Sequence, residues 1–175
     1  MLNLALLIPR VIIGLLFIGH GTQKLFGWFG GHGIPATAGF FAQIGIRPAH
    51  FWAIIAALFE TIGGVLLALG LATPIAAGLI AAVMLTAIVF VHFAKGIWSA
   101  QGGIEYPLVL IAASALYGLA GAGTFSLDAY LGLAWPTPAL YAAVLIVAVL
   151  VNAALRFLSL RRMTVGRQST ATAAV

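Results

Sequence analysis

Five apolar runs constrain this chain more than any other feature: residues 4–26, 51–70, 74–94, 105–122 and 137–158. A helix that crosses the hydrocarbon layer of a bilayer needs about 20 mostly apolar residues. The runs are rich in Ala and Leu and lack a period-two alternation, so they read as helices and not strands. Composition supports the same solvent. Hydrophobic residues make up 63% of the chain and charged residues only 6%, whereas an average soluble domain carries roughly a quarter charged residues. The expected fold is therefore all-α, a transmembrane helix bundle. The first run has no basic segment before it and no small-residue cleavage site after it. It reads as a retained helix and not a removable signal.

The connections add detail. Residues 71–73 form a tight turn, and Pro74 suits the first turn of a following helix, so runs two and three make an antiparallel hairpin. The longer link between runs one and two has room for a short helix at residues 35–44, with Phe40, Phe41 and Ile44 on one side and Gly45 as its stop. That segment is expected to lie in the interface or re-enter the bundle, with an ordered loop as the alternative. Gly14, Gly21, Gly63, Gly64, Ala68, Gly78 and Ala82 would let helix backbones approach closely, as helices in lipid do.

Basic residues set the orientation. Lys24, Arg47, Lys95 and the arginine-rich end with Arg156, Arg161, Arg162 and Arg167 fall on one side of a five-crossing bundle. By the positive-inside rule that side is cytoplasmic, with the N-terminus outside. Arg10 alone opposes the rule; it either snorkels to the outer surface or reaches the polar site. The net charge of +5 is thus a membrane signal, not one for nucleic acid. Trp28, Trp52, Trp98 and Trp135 lie near run ends, as an interfacial belt would. His32 and His50 read as solvated loop residues.

Ionisable groups inside lipid are costly, so they usually face the bundle interior or a watery cavity. Arg10, Phe17, His20 and Lys24 share one face of the first run at helical spacing. At about 1.5 Å per residue, His20 lies roughly 10 Å and Glu60 roughly 13 Å from the cytoplasmic boundary. His20, Lys24, Glu60, His92 and Glu105 therefore converge on the cytoplasmic half. Each also has a plain structural reading. Glu60 is protonated, or paired with Lys24 or Arg10 only for packing; His20 is a satisfied core histidine, His92 and Lys95 are interfacial anchors, and Glu105 is a favourable charge at a helix start. The functional reading makes Glu60 and His20 the catalytic acid–base groups, with Lys24, His92, Lys95 and Glu105 as ligand-binding residues. His20 and His92 differ in depth by about 7 Å, which suits a single haem poorly. A proton relay, or a polar ligand with an apolar body such as a quinone, fits better. The chain has no cysteine, which removes thiol chemistry and thiolate metal sites. No metal site is expected from the sequence, and the cofactor stays unassigned.

Several stretches together carry a family resemblance. They are His20-Gly21-Thr22-Gln23-Lys24-Leu25-Phe26, Gly39-Phe40-Phe41 with Ile44-Gly45, Glu60-Thr61-Ile62-Gly63-Gly64 and Gly70-Leu71-Ala72-Thr73. Further along come Val91-His92-Phe93-Ala94-Lys95-Gly96, Gly102-Gly103-Ile104-Glu105-Tyr106-Pro107, and residues 121–128 ending in Phe125-Ser126-Leu127-Asp128. In order and spacing this chain resembles the DoxX family of small bacterial membrane proteins over residues 4–130. The resemblance implies a four-helix plasma-membrane core at residues 1–130. An additional crossing at 131–160 and a basic, disordered cytoplasmic tail at 161–175 would follow it. It also implies redox-linked roles: one branch of the wider family is a subunit of a thiosulfate:quinone oxidoreductase, and another works in thiol homeostasis with soluble partners. Three functions stay open. One is a redox component with a quinone or proton site, acting with soluble redox proteins or a second membrane subunit. The others are a structural or assembly subunit without catalysis, and a small-molecule transporter.

Overall fold

The computed structural model describes the backbone of residues 1–172 and side chains through Arg162. The elements are α1 (Leu2–Phe26), α2 (Gly33–Gln43), α3 (Ala49–Leu69), α4 (Thr73–Ala87), α5 (Glu105–Ala120), α6 (Leu127–Tyr130) and α7 (Thr137–Thr172). No strand occurs among the described residues. The helix of α4 runs on through a π turn at Ile88–His92 and a 3-10 turn at Phe93–Lys95.

Backbone proximity organises the bundle. On α1, a Cβ at Gly14 would press on the Gly64 carbonyl and Ala68 of α3, and one at Gly21 would strike Thr61. These helices therefore cross with their backbones in contact, which in lipid gives the close dispersion packing that water would otherwise enforce by expulsion. Gly78 of α4 and Gly118 of α5 do the same for α7, against Val144 and Tyr141. A shared core of Phe17, Leu67, Ile80, Tyr117 and Tyr141 ties α1, α3, α4, α5 and α7 together. Outward faces stay apolar: Ile8, Ile12, Leu15, Val109, Ile146 and Leu150 are all more than half exposed. In water such a surface would aggregate; in acyl chains it is the solvated face. This is an integral membrane protein.

The helices separate two ends. At the first end, Gly70 ends α3 with φ 65°, and Leu71 N–H donates to Leu66 O at 2.9 Å, a left-handed helix stop that only glycine adopts without strain. Asp128 then holds the hairpin turn. Its carboxylate accepts from Ala72 N at 2.8 Å, Thr73 N at 3.0 Å, Thr73 Oγ1 at 2.6 Å and Trp135 Nε1 at 2.8 Å. It thus caps α4 from 55 residues away. Burial opposes ionisation of Asp128, but the hydrogen bonds from Thr73, Trp135 and Ala72 outweigh it and hold the carboxyl below its ordinary value. Arg10 belongs to the same end. It is 1% exposed and donates to Ala122 O at 3.0 Å and Phe125 O at 2.7 Å. Arg10 thus neither snorkels nor reaches the cavity: carbonyls of the loop after α5 give the guanidinium partners inside the protein.

Two further expectations change. Helix α5 has 16 residues, short of the 18 or more in the four longest apolar helices among the described residues. It spans about 24 Å, yet it joins the two ends. Its start lies beside Ile97, and the loop after it meets Arg10. The loops, not the helix, make up the remaining depth. Helix α7 does not stop at Arg161 and Arg162 but continues to Thr172, where a disordered tail was expected from residue 161. Arginine, methionine, glutamine and alanine in that segment favour helix, and no proline interrupts it. Residues 173–175 of that tail lie outside the described residues.

Candidate functional site

At the second end the helices part around a cavity of about 790 Å³. α1, α2, α3, α4, α5 and α7 all contribute to its wall. Its lining is mostly apolar, including Phe17, Phe41, Ile46, Trp52, Phe59 and Leu110. Phe51, Tyr106 and Val147 also line it and are 53%, 53% and 59% exposed, so the cavity reaches the surface of the bundle.

Its polar groups are few and placed by identifiable local features. Glu60 sits in mid-α3, 3% exposed, one turn from the Gly63–Gly64 pair that draws α1 and α4 close. Lys24, in the last turn of α1, reaches it with Nζ 2.5 Å from Oε2. A buried carboxylate demands such a partner, because an unpaired charge in apolar surroundings is very costly. One turn back on α1, His20 lies within electrostatic range of Glu60. Its Nδ1 is 3.1 Å from Gln23 Oε1, while Gln23 Nε2 donates to Phe29 O at 3.1 Å. The amide orientation is therefore fixed, and His20 Nδ1 is the donor. His92 ends the π turn, whose extra residue rotates the following side chains relative to a regular helix. Its Nδ1 donates to Gly102 O at 2.6 Å, a carbonyl carried by the loop between α4 and α5.

Of the sequence-derived site residues, His20, Lys24, Glu60 and His92 line the cavity. Lys95 and Glu105 do not. Glu105 is the first residue of α5, and its Oε2 accepts from Ser99 N at 2.8 Å and Ser99 Oγ at 2.7 Å. Lys95 is exposed and lies over Gly102. They flank the 96–104 loop on either side, outside the cavity wall. Trp52 and Trp135 are more than belt residues: one lines the cavity and the other holds Asp128.

Sequence reasoning missed Asn152 of α7. It is 4% exposed and lines the cavity. Its Nδ2 donates to Ala148 O at 2.9 Å, and its Oδ1 is buried without a partner. The signal was a lone amide in an otherwise apolar run, which lipid does not tolerate without a reason. Among the described residues no three metal-ligating side chains cluster.

Comparison with known proteins bears on the same residues. The chain matches the DoxX family over residues 5–93, a stretch that contains His20, Lys24, Glu60 and His92. The chain belongs to the DoxX family. It is also 34% identical over 124 residues to a Bacillus subtilis (strain 168) protein named "Putative oxidoreductase CatD", covering 71% of this chain and 84% of that one. No solved structure matches. The DoxX match ends before α5 and α7, so the wall that carries Asn152 lies outside it.

Proposed function

We propose that this DoxX protein is a redox-linked component of the bacterial plasma membrane that binds a quinone in the cavity, with Glu60 and His20 exchanging its protons. The carrying observation is the cavity: about 790 Å³, within the ~300–1,000 Å³ range of small-molecule sites, apolar, and open at the surface of the bundle. An isoprenoid quinone has an apolar body and a polar ring, and the lining has the same division. Reduction of a quinone takes up two electrons and two protons. Glu60 and His20 stand together on the wall as the titratable pair such an exchange needs. The name of the Bacillus relative as an oxidoreductase points the same way. This chain has no cysteine to carry a dithiol–disulfide couple. The electron donor is then a partner, a soluble redox protein or a second membrane subunit. Lys24, Arg47, Lys95, Arg156 and Arg161 gather at the cavity end, which supports a cytoplasmic C-terminus and an external N-terminus.

The test is twofold. Mass spectrometry of a lipid extract of the purified protein should show a co-purifying quinone, and phospholipid alone would count against the reading. Quinone-dependent oxidation of a sulfur compound in membranes should vanish in Glu60→Gln, and a full rate in that variant would overturn it. A structural role has one observation in its favour: Lys24–Glu60 bridges α1 and α3 where their glycines already lock them. On that reading Glu60→Gln loosens the bundle in detergent and changes no turnover.

A further inference from the structure

Asparagine in a lipid-spanning helix usually bonds across to a neighbouring helix. Asn152 of α7 makes no such bond among the described residues. Its side chain donates from Nδ2 to Ala148 O, four residues back in the same helix. That carbonyl already serves the regular helix ladder, so the bond ties α7 to nothing else. It does fix the amide, since turning the group over would set two oxygens against each other. Oδ1 is therefore the atom left over, buried and without a partner. Asn152 is 4% exposed and lines the cavity. A buried acceptor without a donor is a standing cost to the fold, and packing gives no reason to keep it.

The position of Asn152 matters as well. Glu60 and Lys24 are carried by the α1–α3 pair. α7 packs on α4 and α5 instead, so Asn152 belongs to a different wall. Glycine contacts fix the levels: Gly63 of α3 lies against Leu79, and Gly78 of α4 lies against Val144 of α7. Counting from these contacts at about 1.5 Å per residue, Asn152 stands roughly 6 Å nearer the cavity end of the bundle than Glu60. It is a second polar point, apart from Glu60 in both wall and depth, in a lining that is mostly apolar.

We infer that Asn152 is a ligand-binding residue of the cavity, and that its amide holds the ring oxygen that Glu60 and His20 do not reach. The inference rests on the quinone reading above. A para-quinone carries its two oxygens on opposite edges of one ring. Polar groups on the α1–α3 side alone would leave one of them against apolar side chains. The amide serves either redox form. Oδ1 accepts from a hydroxyl, and Nδ2 has a second hydrogen, beyond the one given to Ala148, for a carbonyl oxygen. Unlike Glu60 it does not titrate, so it anchors the ring without competing for its protons.

The experiment uses the full chain in lipid nanodiscs, with empty nanodiscs as the blank and affinity measured by equilibrium dialysis. The probes are a decyl-substituted para-benzoquinone and decylbenzene, which keeps the ring and the chain but has no oxygen. Asn152→Leu keeps the side-chain volume and removes the amide. It should bind the quinone roughly tenfold more weakly, the scale of one well-placed hydrogen bond in a dry site, and bind decylbenzene as the native chain does. It should also melt no lower than the native chain, because the fold loses only an unsatisfied group. Unchanged quinone affinity in Asn152→Leu overturns the inference and leaves the quinone site standing. An equal loss for both probes does the same, since it makes Asn152 a packing residue. No quinone binding by the native chain overturns both. If Asn152→Leu does not fold, Asn152→Ala carries the same comparison of probes.

Discussion

Asp128 should be the most sensitive polar position outside the cavity. Replacing it by Ala removes the acceptor for four donors: Ala72 N–H, Thr73 N–H, Thr73 Oγ1–H and Trp135 Nε1–H. Thr73 is 1% exposed, so water cannot replace its lost partners. A buried donor left unsatisfied costs about 1–3 kcal/mol. The Thr73 hydroxyl can turn to another acceptor, and Ala72 and Trp135 are partly reachable by water, so one full penalty and two reduced ones remain. The sum is about 3–5 kcal/mol, on the scale of 1–3 kcal/mol per orphaned group. For a chain of this size that lowers Tm by roughly 6–20 °C, read in detergent by thermal unfolding. Asp128→Asn keeps one oxygen and should lose about half as much, since its NH2 faces the Thr73 N–H. The carboxyl is held below its ordinary value in the folded protein. Its contribution is therefore complete above about pH 4, the ordinary aspartate value, and fades as pH falls through the lower folded value. Asp128→Asn should flatten that acid limb. A loss under about 1 kcal/mol for Asp128→Ala would refute the reasoning, because it would mean the hairpin turn needs no cap from α6.

Other expectations follow from the same contacts. Lys24→Met strands the Glu60 carboxylate and should destabilise the bundle by about 1–3 kcal/mol, less than for a fully dry pair because Lys24 is 28% exposed. The double variant with Glu60→Leu should recover most of that in a double-mutant cycle of detergent unfolding, and full additivity would argue that the two groups are not coupled. Gly14→Leu has no room against Gly64 and Ala68, whereas Gly19 has nothing within 4 Å of an added Cβ. The first should prevent a folded monodisperse preparation on size exclusion, and Gly19→Ala should be neutral or raise stability by about 1 kcal/mol. Glu105→Ala should leave quinone binding unchanged while speeding hydrogen exchange at Ser99, which its carboxylate holds. Weakened quinone binding would place Glu105 in the site after all.

The solvent of this protein was legible in its residues, and so were most of its helices. Runs of apolar side chains longer than any soluble strand or loop admit one hydrogen-bonded backbone in lipid, the helix, and that requirement is local to each run. The Lys24–Glu60 meeting was legible for a related reason. With three scarce charges on two antiparallel helices, depth follows from counting residues at about 1.5 Å each. What counting could not give is azimuth and loop path. Arg10 lies on the same face of α1 as Lys24 but is drawn to carbonyls freed where α5 ends, and those carbonyls exist only once the loop has folded over α1. Lys95 and Glu105 have the right depth and miss the cavity because the π turn and the 96–104 loop carry them around its edge. Asn152 is invisible as a site residue until α7 packs on Gly78 and turns one face of that helix toward the cavity. Sequence sets which groups must avoid lipid; the packing of one helix on another decides which of them face the same space.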